Sequence, residues 1–509
     1  MRHLICIFIC ITLFGMVQIQ AASAQDDPPR PNIILILCDD MGYSDIGCYG
    51  GEIDTPNLDQ LAEDGMRFRQ FYNCAKCTTT RASIITGLHP RFGGSGHLRE
   101  NMVTIPEVLG EAGYQTSLSG KWHLGSNAPT RPIDRGFDEF YGLMDGCCNF
   151  FNPAQPDPSY KGGRVRTFGH NDELITEFPD DYYTTDAFTD HAIEQVERFA
   201  ANDDPFFVHL CYTCPHYPLH AKPEDIAKYL GRYSDGWYEL RKERHTRQLE
   251  MGLMPEKWEL VMDDPKVGPW EGIDNQELWE LRFSVYAAMI DSMDQNIGRL
   301  LKALEATGEA DNTLVLFLAD NGGCSELPEG ANFQGPAGPG EFYTSVGPGW
   351  GWASNVPFAR YKSWVHEGGI STPLIARWPN VIEPGGMTDQ VGHIIDFLPT
   401  FAELAGAEYP DTVDGVDILP TEGISLAPIF EGREREGHET LYWYWSGNRA
   451  IRQGRWKLVW DKGPKEWALY DMIEDRTETS DLKEEMPERA AAMTEDWMAW
   501  SDEVGLNIK

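Results

Sequence analysis

The sequence predicts an α/β fold with a mostly parallel central sheet sandwiched by helices, followed by a smaller C-terminal α+β domain of antiparallel sheet and one helix. Three observations lead to this prediction. Short apolar runs end abruptly in polar residues, helical segments lie between these runs, and a different pattern begins after about residue 430. Alternation of strands and helices on this scale is typical of a sheet covered by helices on both faces.

Four runs share the strand pattern. They are PNIILILCDD (31–40), YQTSLSGKWHLG (114–125), PFFVHLCYTCPH (205–216) and NTLVLFLADNGG (312–323). Near-continuous apolar runs indicate parallel strands buried on both faces. Ligands of open α/β sheets bind outside the carboxyl ends of the strands. Because every run ends in polar, ionisable residues, we expect acids, a lysine and histidines to meet at one edge of the sheet.

Helices are expected between the strands. Their predicted ranges are 55–65, 104–113, 184–200 and 283–308. Residues 224–284, rich in Trp, Tyr and charge, interrupt the alternation. They form either a solvated excursion or a wall of the substrate cleft, and we favour the second interpretation.

The C-terminal part has a different pattern. Residues 441–475 alternate apolar and polar side chains and are broken by SGN and KGPK, which indicates antiparallel hairpins, and PERAAAMTEDWMAWSDEV (487–504) follows as a helix. A chain of 509 residues is longer than a single core usually supports. We therefore predict a catalytic domain over 25–430 and a smaller domain over 431–509.

The N-terminus has the pattern of a secretory signal peptide. A basic residue near the start precedes an apolar stretch from Leu4 to about Ile19, and Ala22-Ser23-Ala24 comes before a polar turn. A membrane anchor is the alternative, but the stretch is shorter than the ~20 residues of a spanning helix. We expect cleavage after Ala24, removal of residues 1–24, export to the periplasm or medium, and no membrane attachment of the mature chain.

The net charge of −38 excludes nucleic acid as a general partner, since binding a phosphate backbone needs a clustered basic surface. An anionic ligand would need basic groups gathered locally. Of the eleven cysteines, nine lie beyond the signal segment. Exported proteins normally pair their cysteines. The odd number therefore suggests that one of the nine is not a cysteine in the working protein.

Two polar pairs stand at the ends of predicted strands: Asp39-Asp40 and Asp320-Asn321. An isolated acidic pair is more often a helix cap or a solvated turn. Two pairs at equivalent strand ends favour a metal site, and oxygen ligands suit a hard cation such as Ca²⁺ or Mg²⁺.

Two Cys-x-x-Cys pairs raise the question of what the cysteines do. Cys74 pairs with Cys77 and Cys211 with Cys214, but more than a hundred residues separate the pairs, far from the spacing of a zinc site. We expect a disulfide involving Cys74, Cys211 or Cys214. Cys77 differs, because TTTRASIITG follows it and places it at a helix N-terminus, where an anion is stabilised.

The run CTTTRASIITG (77–87) resembles the signature of the sulfatase family, in which the cysteine is oxidised to formylglycine. Further motifs are similar to the family's, in its order along almost the whole mature chain: GKWHLG (120–125), PHYPLHA (215–221), FLADNGG (317–323) and YKSWVHEGG (361–369). Residues 234–256 resemble the bacterial arylsulfatases most. The resemblance implies an alkaline-phosphatase-like fold and maturation by a formylglycine-generating enzyme.

The resemblance also implies roles for individual residues. Formylglycine at Cys77 would be hydrated to a diol, one hydroxyl attacking sulfur and the other expelling sulfate. Ca²⁺, or alternatively Mg²⁺, would be held by these residues: Asp39, Asp40, Asp320, Asn321 and the modified Cys77. The remaining roles are holding the diol (Arg81), clamping the sulfate (Lys121 and Lys362), assisting the second deprotonation (His123) and protonating the leaving oxygen (His216). His366, near Lys362, is a weaker candidate.

One position departs from the family pattern, which has proline or alanine two residues after the cysteine, whereas this chain has Thr79. The sequence as a whole predicts an exported, calcium-dependent sulfuric ester hydrolase acting on an aryl sulfate or a sulfated polysaccharide. A phosphatase or phosphonate monoester hydrolase of the same fold is one alternative. A catalytically silent protein that binds sulfated glycans and keeps the Cys77 thiol is another. Specificity is expected from residues 224–284 and 335–352.

Overall fold

The computed structural model describes residues 30–91, 97–202, 204–330, 332, 335–506 and 508. The predicted signal peptide, 1–24, lies outside the described residues. Within the described ranges, no helix is both long enough and apolar enough to cross a bilayer.

Two larger sheets and one small hairpin contain the strands. The strands are β1 (Asn32–Asp39), β2 (Met66–Tyr72), β3 (Gln115–Gly120), β4 (Glu139–Leu143), β5 (Phe168–His170), β6 (Glu173–Leu174), β7 (Phe206–Pro215), β8 (Thr313–Ala319), β9 (Ser371–Arg377), β10 (Gly386–Thr388), β11 (Gly392–His393), β12 (Thr412–Val413), β13 (Val416–Asp417), β14 (Leu441–Trp445), β15 (Asn448–Gln453), β16 (Trp456–Asp461) and β17 (Glu466–Asp471).

Helices connect and cover the strands. The α-helices are α1 (Pro56–Glu63), α2 (Cys77–Thr86), α3 (Ile105–Glu111), α4 (Thr184–Ala200), α5 (Pro223–Ala227), α6 (Gly236–Glu250), α7 (Gln276–Thr307), α8 (Gly347–Ala353), α9 (Glu367–Ile370), α10 (Phe397–Ala405), α11 (Ala427–Phe430) and α12 (Pro487–Glu503). The four predicted helices are α1, α3, α4 and α7, so their prediction is confirmed. Helix α7 begins seven residues earlier than expected.

The four predicted strands are neighbours in the large sheet. Its order is β10-β2-β9-β8-β1-β7-β3-β4-β5-β6, with β11 paired to β2. Strands β8, β1, β7 and β3 pair in parallel, and every residue of β1 is buried. Their carboxyl ends therefore meet at one edge, as the polar ends of the four runs predicted.

One side of the sheet was not predicted. Strand β9 pairs antiparallel with both β8 and β2, so the sheet is mixed rather than wholly parallel. Strand β2, MRFRQFY, alternates buried and partly exposed positions through Arg67 and Arg69. Two arginines in seven residues hide the apolar run that identified the other strands.

Residues 224–284 are not a solvated excursion. Trp237 and Trp270 are buried, their ring centroids are 4.8 Å apart, and both rings pack on Trp350 of α8. Aromatic side chains of this size bury a large apolar area, so the segment extends the core on this side of the sheet. Whether it also forms a wall of the cleft stays a prediction.

The predicted C-terminal hairpins and final helix are confirmed. Strands β14 to β17 form an antiparallel sheet in sequence order, and α12 packs on one face through Trp497 and Trp500. The other face packs against the large domain, where the indole nitrogen of Trp443 donates to the carbonyl oxygen of Asn73 over 2.8 Å. The boundary at residue 430 stays a prediction.

The expected disulfide is wrong. All nine cysteines of the described chain are free and buried. Cys211 packs in the core on one face of β7 and Cys214 in the core on the other, because residues three apart in a strand point to opposite faces. The sulfur of Cys74 lies 3.6 Å from the hydroxyl of Ser83 and 3.9 Å from the ring of His393.

Candidate active site

The two polar pairs meet at the carboxyl edge of the sheet. Asp39 and Asp40 end β1, and Asp320 and Asn321 follow the neighbouring strand β8. The backbone N–H of Asp40 donates to Asp320 Oδ1 over 3.3 Å, and Asn321 Nδ2 donates to Asp40 Oδ1 over 2.7 Å. All four side chains are buried. Asp40 adopts a left-handed backbone with φ of +69°, a strained conformation common at functional sites.

This group fits a metal ion. Asp39 Oδ1, Asp40 Oδ2 and Asn321 Oδ1 are buried and, within the described part of the chain, have no hydrogen-bond partner. Leaving such an atom unsatisfied costs about 1–3 kcal/mol. Asp39, Asp40 and His216 also offer ligand atoms within 4.8 Å of one another. Three converging oxygens are the donors that Ca²⁺ and Mg²⁺ prefer.

A second group with metal-ligand spacing, Glu139, His170 and His191, differs in one respect. Arg198 lies 3.1 Å from Glu139 Oε1, and Ser119 lies 2.7 Å from His191 Nδ1. Protein partners already satisfy these ligand atoms. The first group alone combines convergence with unsatisfied oxygens.

Two buried lysines neutralise the acids. Lys121 Nζ lies 2.5 Å from Asp39 Oδ2, and Lys362 Nζ lies 2.5 Å from Asp40 Oδ1. Burial alone would lower the pKa of each lysine, but Asp39 and Asp40 raise the pKa above its usual value, so both ammonium groups stay charged. Burial raises the pKa of Asp39 even against Lys121. Burial opposes the ionisation of Asp40 as well, but the ammonium groups of Lys362 and Lys76 hold the pKa of Asp40 well below its usual range.

The backbone places each lysine at the site. Lys121 follows Gly120, whose φ is +116° and where a Cβ atom would lie 1.9 Å from the carbonyl oxygen of Cys211, so only glycine fits. The loop of Lys362 is held on two sides. The Ser363 N–H donates to the carbonyl of Ala75 over 2.8 Å, and Asn448 of the C-terminal sheet donates to the carbonyl of Ser363 over 2.7 Å.

Arg81 contacts one of the predicted metal ligands, Asp320. Its Nε and Nη2 atoms donate to Asp320 Oδ2 over 3.1 and 2.9 Å, and Nη1 donates to the carbonyl of Lys121 over 2.7 Å. Burial would lower the pKa of Arg81, but Asp320 and Asp39, with smaller contributions from other groups, raise this pKa, so Arg81 stays charged. Arg81 therefore fixes the position of Asp320 and of the Lys121 backbone.

Cys77 is the first residue of α2 and is buried. Burial raises the pKa of its thiol, and the positive charges of Lys121, Lys362 and Lys76 oppose that rise. The thiol therefore lies in the field of three ammonium groups, two of which, Lys121 and Lys362, the resemblance to sulfatases implied for a site that takes an anion. The hydroxyl of Thr79 donates to the carbonyls of Cys74 and Lys76 over 3.0 and 2.9 Å, which fixes the turn into the helix.

Both predicted histidines face the site. The Nδ1–H of His216 donates to the carbonyl of Tyr217 over 2.5 Å, which leaves Nε2, 3.5 Å from Asp40 Oδ2, toward the acids. His123 has φ of +62°. Burial, with Lys121 and Arg81 nearby, lowers the pKa of His123 well below its usual value; burial also lowers the pKa of His216, so both rings are neutral at pH 7.

His366 does not join the site. Burial, together with Arg360 and Lys457, lowers its pKa to about 3, and Asp461 is its acidic neighbour. Sequence reasoning missed Tyr217, which follows His216, and Lys76, which precedes Cys77. The hydroxyl of Tyr217 donates to Glu326 over 2.6 Å, and Lys76 pairs with the same carboxylate over 3.0 Å. Their place next to His216 and Cys77 in the sequence was the available signal.

Comparison with known proteins decides the family. A family model described as Sulfatase matches residues 31–407. The chain belongs to the sulfatase family. A second model, described as N-sulphoglucosamine sulphohydrolase, C-terminal, matches residues 359–497.

Individual relatives resemble this sulfatase over most of its length. An uncharacterized sulfatase of Schizosaccharomyces pombe is 32% identical, with 96% of each chain covered. An arylsulfatase of Klebsiella aerogenes is 32% identical, with 83% of this chain and 96% of the relative covered. The crystal structure of Ps i-CgsB in complex with k-i-k-neocarrahexaose matches with a TM-score of 0.69 and 27% identity, covering 93% of both chains.

The predicted family, fold class and reaction class are therefore confirmed: the sulfatase is a hydrolase of sulfuric esters. The structure brings together all ten predicted site residues at one edge of the sheet, which are Asp39, Asp40, Cys77, Arg81, Lys121, His123, His216, Asp320, Asn321 and Lys362. Their individual roles stay predictions.

Proposed function

We propose that this sulfatase is an exported enzyme that cleaves sulfate esters of carbohydrates, with formylglycine made from Cys77 as nucleophile and Ca²⁺ as cofactor. The observation that carries the proposal is the site itself. Among the described residues, three buried oxygens at the carboxyl edge of the sheet have no hydrogen-bond partner, two buried lysines pair with the same acids, and these lysines also act on the Cys77 thiol.

The chemistry of Cys77 supports its modification. A thiolate is the reactive form of cysteine, and burial raises the pKa of this thiol, so an unmodified Cys77 is a poor nucleophile at neutral pH. Formylglycine at this position would supply a hydrated aldehyde, whose hydroxyl is an oxygen nucleophile for sulfur. The start of α2 favours an anion at this position, since its first backbone N–H groups have no partner inside the helix.

Asp39, Asp40, Asp320 and Asn321 would hold the cation. A bound Ca²⁺ would lower the pKa of a nearby hydroxyl and neutralise charge on sulfate oxygens. The two carboxylates that pair with Lys121 and Lys362 would then share their charge with the cation, which leaves both ammonium groups available to the sulfate group.

His216 is placed to pass a proton to the leaving oxygen. Its Nε2 faces the acids because Nδ1 is bound to the carbonyl of Tyr217. A sulfate anion next to this neutral ring raises its pKa, since an opposite charge favours the protonated form. The protonated ring is then a general acid for the sugar oxygen.

Two observations favour a carbohydrate as substrate. The related Ps i-CgsB is in complex with k-i-k-neocarrahexaose, an oligosaccharide. Aromatic side chains, Tyr217 and Tyr343, stand beside His216 with ring centroids 5.9 Å apart. Such faces pack well against sugar rings.

Peptide mass analysis across residues 70–91 of the purified protein tests the nucleophile. We expect residue 77 as an aldehyde or its hydrate; a thiol there in a protein that still turns over 4-nitrophenyl sulfate contradicts the proposal.

Turnover of 4-nitrophenyl sulfate should exceed that of 4-nitrophenyl phosphate, and the reverse order favours the phosphatase alternative. Export predicts a mature N-terminus after Ala24 in the extracytoplasmic fraction.

A further inference from the structure

A group of cationic and aromatic side chains lies outside the catalytic residues. We call it the outer rim, and it consists of Lys161, Arg166, Tyr217 and Tyr343. These residues come from three separate segments of the chain, and each is partly exposed. No motif identified Lys161 or Arg166 from the sequence, and the site described above does not use them.

The outer rim is continuous with both catalytic histidines. The rings of His216 and Tyr217 have centroids 4.1 Å apart, and Tyr343 lies next to Tyr217. On the other side, a Cβ atom on Gly146 would lie 2.6 Å from His123, and the sulfur of Cys147 lies 3.6 Å from the hydroxyl of Tyr343. A group bound at the rim is therefore next to the position where the leaving oxygen departs.

Lys161 carries a charge that the protein does not neutralise. Its ammonium group donates to the hydroxyl of Tyr343 over 2.8 Å and lies 4.5 and 5.3 Å from the ring centroids of Tyr343 and Tyr217. Among the described residues, no carboxylate forms an ion pair with it. The neighbouring cations differ, because Arg166 pairs with Asp157 over 2.5 Å and Lys76 with Glu326 over 3.0 Å.

The charge of the whole chain makes this position unusual. Asp and Glu number 80 against 42 Lys and Arg, so most basic side chains are expected to have an acidic side chain nearby. Lys161 is instead held over two aromatic faces, which stabilises the ammonium group without cancelling its field. An anion that enters beside it would meet a positioned, unneutralised charge.

We propose that the outer rim binds a second anionic group of the substrate, carried by the sugar next to the one that loses its sulfate. The substrate class is then an oligosaccharide with at least two anionic groups, a conclusion that rests on the proposed cleavage of carbohydrate sulfates. Tyr217 and Tyr343 pack against the sugar ring, and Lys161 pairs with its sulfate or carboxylate group.

The experiment measures inhibition of 4-nitrophenyl sulfate turnover, since this small ester carries one anionic group and has no second anion to offer to Lys161. The probes are a carrageenan hexasaccharide, which carries sulfates and no carboxylates, and a hyaluronan hexasaccharide, which carries carboxylates and no sulfates. The variants are Lys161→Ala, Lys161→Arg and, as a matched surface control on α7, Lys302→Ala.

We expect Lys161→Ala to raise the inhibition constant of the carrageenan hexasaccharide at least about fivefold, in line with one lost charge-assisted contact. Lys161→Arg and Lys302→Ala should stay within about twofold of the wild type, and kcat and KM for 4-nitrophenyl sulfate should not change in Lys302→Ala. Added salt should weaken the inhibition of the wild type more than that of Lys161→Ala.

The two hexasaccharides distinguish the second anion. Inhibition by carrageenan alone identifies a sulfate, and equal dependence of hyaluronan inhibition on Lys161 identifies a carboxylate. Equal inhibition constants for wild type and Lys161→Ala with both probes overturn the proposal while the proposed function stands. If the wild type turns over no sulfate ester, the proposed function fails, and calorimetric titration of the hexasaccharides into both proteins still tests the rim.

Discussion

The catalytic centre and the contact between the two sheets both bury several charges, but they satisfy those charges differently. At the contact, Glu367 and Glu478 are buried, and each of their four carboxylate oxygens lies within 3.0 Å of a protein nitrogen or hydroxyl; Glu478 Oε1 meets Lys457 as an ion pair without hydrogen-bond geometry. Lys457 bridges both acids, and Arg476 adds a second cation. At the catalytic centre, one oxygen each of Asp39, Asp40 and Asn321 has neither an ion pair closer than 3.5 Å nor a hydrogen bond within the part of the chain that the structure describes.

This difference separates a structural ion network from a ligand site. Buried charges that are paired entirely with other protein groups stabilise one arrangement of the chain, because removing either partner leaves a charge unpaired. Buried charges that remain partly unsatisfied are stabilised when a ligand arrives. Substitutions in the two regions should therefore change different measured quantities.

The largest effect is expected at the cysteine pair of the catalytic centre. Cys77→Ala removes the proposed nucleophile and should reduce turnover of 4-nitrophenyl sulfate at least about a thousandfold. Cys74→Ala, in the same Cys-x-x-Cys run, should keep turnover near the wild-type value, because the Cys74 sulfur faces Ser83 and His393 instead. Equal losses in both variants would contradict the assignment of Cys77.

The next effect concerns the ion network at the contact between the two sheets. Lys457→Met leaves Glu367 and Glu478 buried without their shared cation and should lower the free energy of unfolding by about 3–5 kcal/mol. Denaturant unfolding followed by far-UV circular dichroism gives this value. The same variant should bind Ca²⁺ as the wild type does while it is folded; a weakened Ca²⁺ affinity would show that the two regions are coupled.

At the catalytic centre, stabilisation should come from a bound ligand, Ca²⁺, rather than from protein partners. At a free concentration of a hundred times its Kd, a ligand bound by the folded state alone adds about 2.7 kcal/mol to the free energy of unfolding. Asp40→Asn should remove most of this gain, whereas Glu139→Gln, in the group whose ligand atoms have protein partners, should retain it. Thermal unfolding with and without a chelator measures both. A gain that survives Asp40→Asn would place the ion elsewhere.

The last effect is a dependence on pH. Burial opposes ionisation of Glu367, but Lys457 and Arg476 lower its pKa to about 2. Its pKa is therefore lower in the folded than in the unfolded chain, where it is about 4.5. The ionised group stabilises the fold above pH 4.5, and this contribution is lost as the pH falls toward 2. The difference in unfolding free energy between wild type and Glu367→Gln should shrink over that range; a constant difference would contradict this.

The strands that end in the site could be predicted from the sequence because the apolar run that marks each strand stops at the residues proposed to act in the site. Strands β1 and β8 are apolar runs that stop at Asp39 and Asp320, so one pattern revealed both the sheet and the proposed ligands. Strand β2 was missed because Arg67 and Arg69 break its apolar run. The disulfide prediction failed because pairing depends on which face of β7 each sulfur occupies, and spacing alone does not fix that.

The outer rim shows more clearly which part of a site cannot be predicted from the sequence. Lys161 has no motif, and it reaches Tyr217 and Tyr343 through contacts between residues far apart in the chain. The ten predicted site residues stood in short runs similar to known motifs. Residues that join a site by tertiary packing alone leave no local signal, so specificity is harder to predict than chemistry.

The attachment of the Lys362 loop has a consequence for any attempt to shorten the protein. That loop is held on one side by Ala75, just before α2, and on the other by Asn448 of the C-terminal sheet. A truncation after residue 430 keeps every residue of the proposed chemistry yet removes one of the contacts that hold the loop of Lys362. Proteolytic trimming of the last eighty residues should therefore silence the enzyme without touching its metal ligands.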